Sequence, residues 1–356
     1  MDVRSRTYLS LTLVLSLAGA CGDDSTTSDP PDSNPAKSSN RDSGTGSDHE
    51  VSDTPPKDAS VKHEDPGHDA AVPTQPGSDA QVLKADGGSG AAADSGMPGP
   101  VGTGACCSDG DCLCHGDAPT ELTSAAGSYK TAQLTLPLGT VYYPTDAEPP
   151  FAALTLCGGF TNTGPEMAAW GPLYASHGIV LMITTTGAAD DPATRGMKLL
   201  AALTQLKAEN TKSGSVLFGK LSGRYGTSGY SMGGGGTTLA SAQDATLRTS
   251  IGLAPWGGSG MGVKVATLLL CGSSDTTAPC NMAQSVYDAI AGDTPKMLMS
   301  VAGATHFSWF GPTDAGMGTS GKYALAFQKV YLEGDERWKP LLLSKPSNAT
   351  ATTNIK

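Results

Sequence analysis

The chain lacks a basic surface. Its 356 residues hold 34 acidic side chains against 23 basic ones, a formal net charge of −11 with histidine neutral. No cluster of lysines and arginines and no nucleic-acid motif interrupts the excess. DNA and RNA partners, whose phosphates are met by cationic patches, are therefore excluded. Large apolar residues are almost missing from residues 22–103, a run of Asp, Ser, Pro, Gly and Thr. Such a segment cannot bury enough surface to offset its ordering entropy, and disorder is expected. It carries 15 acids and 5 bases, a net −10; with +1 from residues 1–21, the rest of the chain keeps only −2 of the −11. The acidity thus belongs to a linker and says nothing about a substrate. As a flexible coil such a linker would span roughly 50 Å root-mean-square.

An apolar run of membrane-spanning length is also missing. Residues 1–21, "MDVRSRTYLSLTLVLSLAGAC", place Arg4 and Arg6 before a short apolar run and small residues after it. That is the pattern of an export signal rather than a spanning helix. Its end, "LAGAC", resembles the lipobox of bacterial lipoproteins. On that resemblance Cys21 is lipidated, becomes the N-terminus and holds the protein at the outer membrane or cell surface. The other reading cuts near Ala20, leaves Cys21 incidental and gives a secreted protein.

Of the eight cysteines, Cys106, Cys107, Cys112 and Cys114 crowd into "CCSDGDCLCH", and Cys157, Cys271 and Cys280 follow. In an exported chain the cluster is expected to form two disulfides. A zinc site using these thiolates and His115 is the alternative, although vicinal cysteines wrap a tetrahedron poorly. Cys271 and Cys280 bracket a short loop and can pair across it, which leaves Cys157 free.

From residue 104 to 356 the apolar pattern becomes regular. "GTVYYPT", "FAALTLCGG", "IVLMITTT", "SGRYGTSG", "RTSIGLAPW", "KVATLLLCG" and "PKMLMSVAG" read as strands. "MAAWGPLYASHG", "ATRGMKLLAALTQLKAEN", "GGGGTTLASA", "NMAQSVYDAIAG" and a closing "GKYALAFQKVYLEG" read as helices, the second with Met197, Leu200, Ala201, Leu203 and Leu206 on its apolar face. Alternating apolar strands and helices imply one α/β domain with a mainly parallel sheet covered on both faces.

"GYSMGGGG", Gly229–Gly236, concentrates the chemistry. Glycine is unfavourable inside regular elements, so five of them around one hydroxyl imply a backbone held where side chains would collide. Gly229-Tyr230-Ser231-Met232-Gly233 fits G-x-S-x-G between a strand and a helix, the setting of a nucleophile elbow. The helix beginning there also directs its positive end at the hydroxyl. A serine needs a base, and in this arrangement acid and histidine follow it in that order. Six histidines occur, at 49, 63, 68, 115, 177 and 306, and only His306 lies beyond Ser231. Among Asp244, Asp275, Asp288 and Asp293, only Asp275 follows an apolar strand, so it is the expected orienting carboxylate. Backbone donors for an oxyanion are expected at Met232 and at Phe160, in "LCGGFTNTG".

These motifs, with "GGFTNTGPEMAAWGPLYASHG", "APW", "SSDTTAP" and "GATHF", resemble bacterial polyester hydrolases, the cutinase-like enzymes that include poly(ethylene terephthalate) hydrolases. The resemblance runs from about Gly139 to Trp338. It implies an α/β-hydrolase fold without a lid, an exposed cleft for ester polymers and no cofactor or metal. It also assigns Ser231, Asp275 and His306 to the triad and Phe160 and Met232 to the oxyanion hole. Phe160, Tyr230, Trp256 and Thr277 fall at substrate-binding positions. The cysteine cluster, "TKSGSVLFGKLSG" and "SWFGPTDAGMG" depart from the pattern, as does the lack of any cysteine after Cys280. A monomer acting on polymeric or small esters is expected. The rivals are a small-substrate carboxylesterase or lipase with the same triad and, from another class, a non-catalytic surface-binding lipoprotein. A dienelactone-hydrolase-like role fits less well, because those enzymes place cysteine where Ser231 stands.

Overall fold

Strands apolar along their whole length need cover on both faces, and that need sets the architecture. The computed structural model describes residues 106–107 and 112–356; the export signal, Cys21 and the acidic linker lie outside the described residues. The strands are β1 (Thr131–Leu136), β2 (Gly139–Pro144), β3 (Phe151–Cys157), β4 (Val180–Thr184), β5 (Leu221–Tyr230), β6 (Thr249–Leu253), β7 (Ala266–Gly272), β8 (Lys296–Val301) and β9 (Ala349–Thr353). They form one sheet in the order β1-β2-β4-β3-β5-β6-β7-β8-β9. Neighbours from β4 through β8 are parallel; antiparallel pairing enters only between β1 and β2, β2 and β4, and β8 and β9.

Alternation along the strands divides the core. Leu154, Leu156, Leu268, Leu270 and Met299 pack in one cluster with α1 (Trp170–Ser176) and α5 (Thr319–Phe327). Ala153, Leu269, Cys271 and Leu298 pack in the other with α2 (Pro192–Thr211) and α4 (Cys280–Ala289). The helix α3 (Met232–Gln243) lies against α2. This is the mainly parallel α/β sheet expected from the strand and helix pattern, and it agrees with the α/β-hydrolase fold that the resemblance implies. No helix among the described residues is long and apolar enough to cross a membrane.

Two local expectations need correction, and one strand adds to the expected set. The segment before "GTVYYPT" forms the additional edge strand β1. The segment expected as the closing helix ends as α5 at Phe327 and passes into a π-type turn, Gln328–Glu333. A short helix α6 (Lys339–Leu342) and strand β9 then follow. On α2 the buried face is Arg195, Leu199, Ala202, Leu203 and Leu206, while Met197 is 56% exposed. Stepping by four from Arg195 gives the true stripe, with a cation at its head.

The π-type turn carries two buried charges inward. Lys329 Nζ donates to Glu333 Oε2 at 2.7 Å and to the carbonyl of His177 at 2.5 Å. Glu333 Oε1 meets His115 Nδ1 at 2.8 Å, while His115 Nε2 faces the Glu148 carbonyl at 3.0 Å. Disulfides Cys106–Cys114 and Cys107–Cys112 hold the segment that delivers His115, and Cys271–Cys280 closes the β7–α4 loop. The sulfurs of the zinc alternative are thus joined in pairs, and the imidazole it would have used is committed to Glu333. Cys157 is free and buried.

His177, at the turn from α1 to β4, donates from Nε2 to the Ala125 carbonyl at 3.1 Å and packs edge-on against Trp338. Burial is the main reason its pKa falls from 6.5 to about 4. The native state therefore keeps His177 neutral where the unfolded chain is already protonated, and stability rises with pH between about 4 and 6.5. On lowering the pH from 7 to 4.5 the contribution lost is on the order of 2 kcal/mol. Urea midpoints at the two pH values should differ for wild type and differ clearly less for His177→Asn. An equal shift in both proteins would remove His177 from the acid response.

Candidate active site

In a parallel sheet the carboxyl ends of the strands face one edge, where ligands bind. Each expected site residue follows such an end: Phe160 after β3, Ser231 after β5, Trp256 after β6, Asp275 after β7 and His306 after β8. The strand β5 sits in the middle of the nine, which puts Ser231 at the centre of that edge.

The turn at Ser231 has φ 54° and ψ −118°, a conformation that L side chains rarely adopt. Such a residue costs of order 1–3 kcal/mol and persists only where its surroundings fix it. Here the Ser231 N–H donates to Leu253 O at 2.8 Å, and the Ser231 carbonyl accepts from Gly235 at 3.0 Å and Trp256 at 2.9 Å. A Cβ on Gly229 would run into the backbone of Gly233, and one on Gly233 would meet the carbonyls of Cys157 and Gly158. The glycines permit this crossing of β5, α3 and the loop after β3; larger residues would push the hydroxyl away from the sheet edge.

Ser231 Oγ lies 2.9 Å from His306 Nε2, and His306 Nδ1 lies 2.8 Å from Asp275 Oδ2. All three are less than 9% exposed. The second Asp275 oxygen accepts the N–H groups of Thr277 at 2.9 Å and Ala278 at 2.8 Å, so the carboxylate is held at both ends. In this row an imidazole can take the serine proton while the carboxylate stabilises the resulting imidazolium.

Met232 is the first residue of α3, and the first turn of a helix has N–H groups without intrahelical acceptors. Phe160 lies on the loop after β3 with its ring 59% exposed. Arg195, unseen as a site element in the sequence, shapes that loop. Fully buried, it donates to the carbonyls of Gly158 at 2.9 Å, Asn162 at 3.3 Å, Gly187 at 3.0 Å and Asp190 at 2.9 Å. Its signal was available: an arginine four residues before Leu199 on the stripe that α2 buries.

Tyr230 needs a correction. Expected to bind substrate, it is 3% exposed, and its hydroxyl donates to the His306 carbonyl at 2.9 Å. Its ring lies 5.2 Å from the imidazole and 5.3 Å from that of Phe310. Burial pushes its pKa up, so the phenol stays protonated as a donor. Tyr230 therefore supports the histidine loop from within. Trp256 is half-buried and Thr277 exposed. Phe307, which sequence reasoning passed over, is 71% exposed beside the imidazole. The departure "SWFGPTDAGMG" is anchored through Trp309, which is fully buried, donates to Thr305 O and accepts the Trp170 indole N–H on its carbonyl. Cys157 lies under the elbow, its thiol pushed up to about 12 by burial, so it remains a neutral packing group.

A hydroxyl, an imidazole and a carboxylate in a row at the carboxyl edge of this sheet define the class of serine hydrolases. Comparison with known proteins narrows the class. A family model described as PET hydrolase-like matches residues 111–356. Bis(hydroxyethyl) terephthalate hydrolase of Streptomyces coelicolor is 34% identical over 247 residues, 65% of this chain and 77% of the relative. Lipase 1 of a Moraxella species is 34% identical over 174 residues, 48% of this chain and 53% of the relative. The chain belongs to the PET hydrolase-like family and is an ester hydrolase.

Removing the Tyr230 hydroxyl tests its support of the base. Tyr230→Phe leaves one buried carbonyl without its donor, a loss of about 1 kcal/mol. The expected result is a kcat reduced about 3- to 10-fold with KM within twofold of wild type, and a melting temperature lowered by about 2–4 °C. An unchanged kcat would show that the loop holds His306 without this contact.

Proposed function

We propose that this protein cleaves the ester bonds of polyesters, aromatic polyesters included, through an acyl-enzyme on Ser231. Ser231 Oγ attacks the ester carbonyl as His306 Nε2 takes its proton, and Asp275 keeps Nδ1 protonated and charge-balanced. The oxyanion of the tetrahedral intermediate is received by the N–H groups of Phe160 and Met232. Collapse breaks the C–O bond, the leaving alcohol takes the proton from His306, and water repeats the sequence to free the acid. The observation that carries the polymer reading is the pair of exposed rings, Phe160 and Phe307, on the segments bearing the oxyanion donor and the imidazole. Exposed rings flanking a nucleophile suit a planar unit presented by a surface, and offset or edge-to-face contact adds about 0.5–1.5 kcal/mol per ring pair beyond area burial.

The test gives wild type and Ser231→Ala a one-ring diester, bis(hydroxyethyl) terephthalate, an aliphatic short-chain ester and an amorphous aromatic polyester film. Wild type should release soluble aromatic acid from the film, and Ser231→Ala should lose at least about a thousandfold on every substrate. Turnover confined to the short-chain ester would assign the protein to small-substrate esterases instead.

The same reading includes a tether: lipidation at Cys21, with residues 22–103 as a leash from a membrane surface. The "LAGAC" pattern supports it. Cells fed a labelled fatty acid should incorporate label into wild type and none into Cys21→Ser, which should move to the soluble fraction. Label retained by the variant would rule out Cys21 as the anchor.

A further inference from the structure

The turn after β3 satisfies its polar groups unevenly. Gly159 to Asn162 is closed by the Asn162 N–H, which donates to the Gly159 carbonyl at 3.1 Å. Thr161 in this turn has φ 66°, a left-handed conformation that a β-branched residue rarely adopts. Its N–H donates to the Ala188 carbonyl at 2.8 Å, which fixes that conformation. The Gly159 N–H donates to Oδ1 of the Asn162 side chain at 3.2 Å. Of the four N–H groups from Gly159 to Asn162, that of Phe160 is left with no protein acceptor among the described residues.

Asn162 thus grips Gly159 twice, its N–H on the carbonyl and its side-chain oxygen on the N–H. A trans peptide is planar, with its C=O and N–H pointing opposite ways. Because the Gly159 carbonyl is drawn toward Asn162, the N–H of the same peptide unit, that of Phe160, is directed out of the turn. Gly159 also abuts the nucleophile, since a Cβ there would come within 3.1 Å of Ser231 Oγ.

Glycine has no Cβ to oppose rotation of that peptide. If it turned over, a carbonyl oxygen would stand where the N–H now points, and a developing oxyanion would meet a negative dipole instead of a donor. Side-chain packing cannot prevent this at a residue without a side chain, so the lock has to be polar. Asn162 is itself firmly held. It is buried, and its carbonyl accepts from Thr186 Oγ1 at 3.0 Å and Arg195 Nη1 at 3.3 Å. Its side chain lies against Gly158, where a Cβ would collide with Asn162 Cβ. Resting on the reading above that the Phe160 N–H receives the oxyanion, we infer that Asn162 is a positioning residue. Its carboxamide keeps the Gly159–Phe160 peptide from turning over, so the oxyanion site is formed before substrate arrives.

The test uses Asn162→Leu, which keeps the branched shape without the acceptor, and Asn162→Ala, which removes both. Melting temperatures verify folding, and either variant alone suffices. On the one-ring diester kcat should fall about 10- to 100-fold, with KM within twofold of wild type. An arylboronic acid, which bonds to a serine oxygen as a tetrahedral anion and draws on the same donors, should lose affinity by the same factor. A purely structural role would lower the melting temperature without that parallel. A kcat within twofold of wild type, a loss carried by KM, or unchanged boronate affinity beside a lowered kcat would overturn the assignment. A crystal structure of the wild-type boronate adduct separates the two readings without any variant. A boronate oxygen bonded to Phe160 N, with Asn162 Oδ1 still on Gly159 N, supports both. The same oxygen contact with Asn162 Oδ1 released from Gly159 would overturn the lock alone. A boronate oxygen bonded elsewhere would overturn the Phe160 donor itself, and the lock would fall with it.

Discussion

The backbone at Ser231 is the constraint on which the rest of the structure depends. A residue at φ 54° and ψ −118° is held there by three hydrogen bonds, one to Leu253 and two from Gly235 and Trp256. Those partners belong to β6, α3 and the loop after β6, so the strain at one residue is distributed over the centre of the sheet. Net hydrogen bonds of about 1 kcal/mol each are enough together to offset strain of 1–3 kcal/mol. Their geometry requires glycines at the crossings. The hydroxyl then stands within 2.9 Å of an imidazole that comes from a different strand end, 75 residues away in sequence.

Around that point the domain uses buried cations as internal ties. Arg195 gathers the carbonyls of the loops after β3 and β4, and Lys296 donates to Tyr287 O at 2.8 Å and Ile290 O at 2.6 Å at the end of α4. Lys329 joins the carbonyls of His115 and His177 and is balanced by Glu333. Hydrogen bonds from charged donors contribute roughly 1.5–3 kcal/mol each, and removing the donor leaves several buried acceptors unmet. These three residues hold irregular segments that a hydrophobic core cannot grip, because loops present carbonyls rather than methyl groups. The shape of the loop after β3 and the placement of the cysteine-rich segment rest on them.

The central architecture was legible because buried strands and helices leave strong periodicity, and because the elbow occurs in a strand-to-helix context that narrows its meaning. His306 could be named by elimination and Asp275 by its position after an apolar strand. The structure draws those two side chains and Ser231 into one row. Other features lacked such a signal. The strand β1 shows only alternate partial burial, and β9 is mostly exposed and made of Ala and Thr. Their pairing depends on neighbours distant in sequence rather than on local pattern. The stripe of α2 was misplaced because only its apolar residues were followed, and Arg195, whose partners are backbone carbonyls, was left out of it. Tyr230 was expected to face substrate from its place next to the nucleophile. Its hydroxyl instead reaches the histidine loop, a contact set by the fold and not by neighbouring residues in the chain.

The cysteine-rich segment has a mechanical consequence. Cys106 accepts at its carbonyl from Glu336 N–H, and Leu113 N–H donates to Glu333 O. The two disulfides cross-link the intervening stretch, so tension entering the domain at Cys106 cannot peel β1 from the sheet one bond at a time. It is passed to the C-terminal turn, where several bonds are strained in parallel and must break together. A pull applied at Cys106 would thereby be borne by the C-terminal turn before it reached the strand ends that carry Ser231, Asp275 and His306.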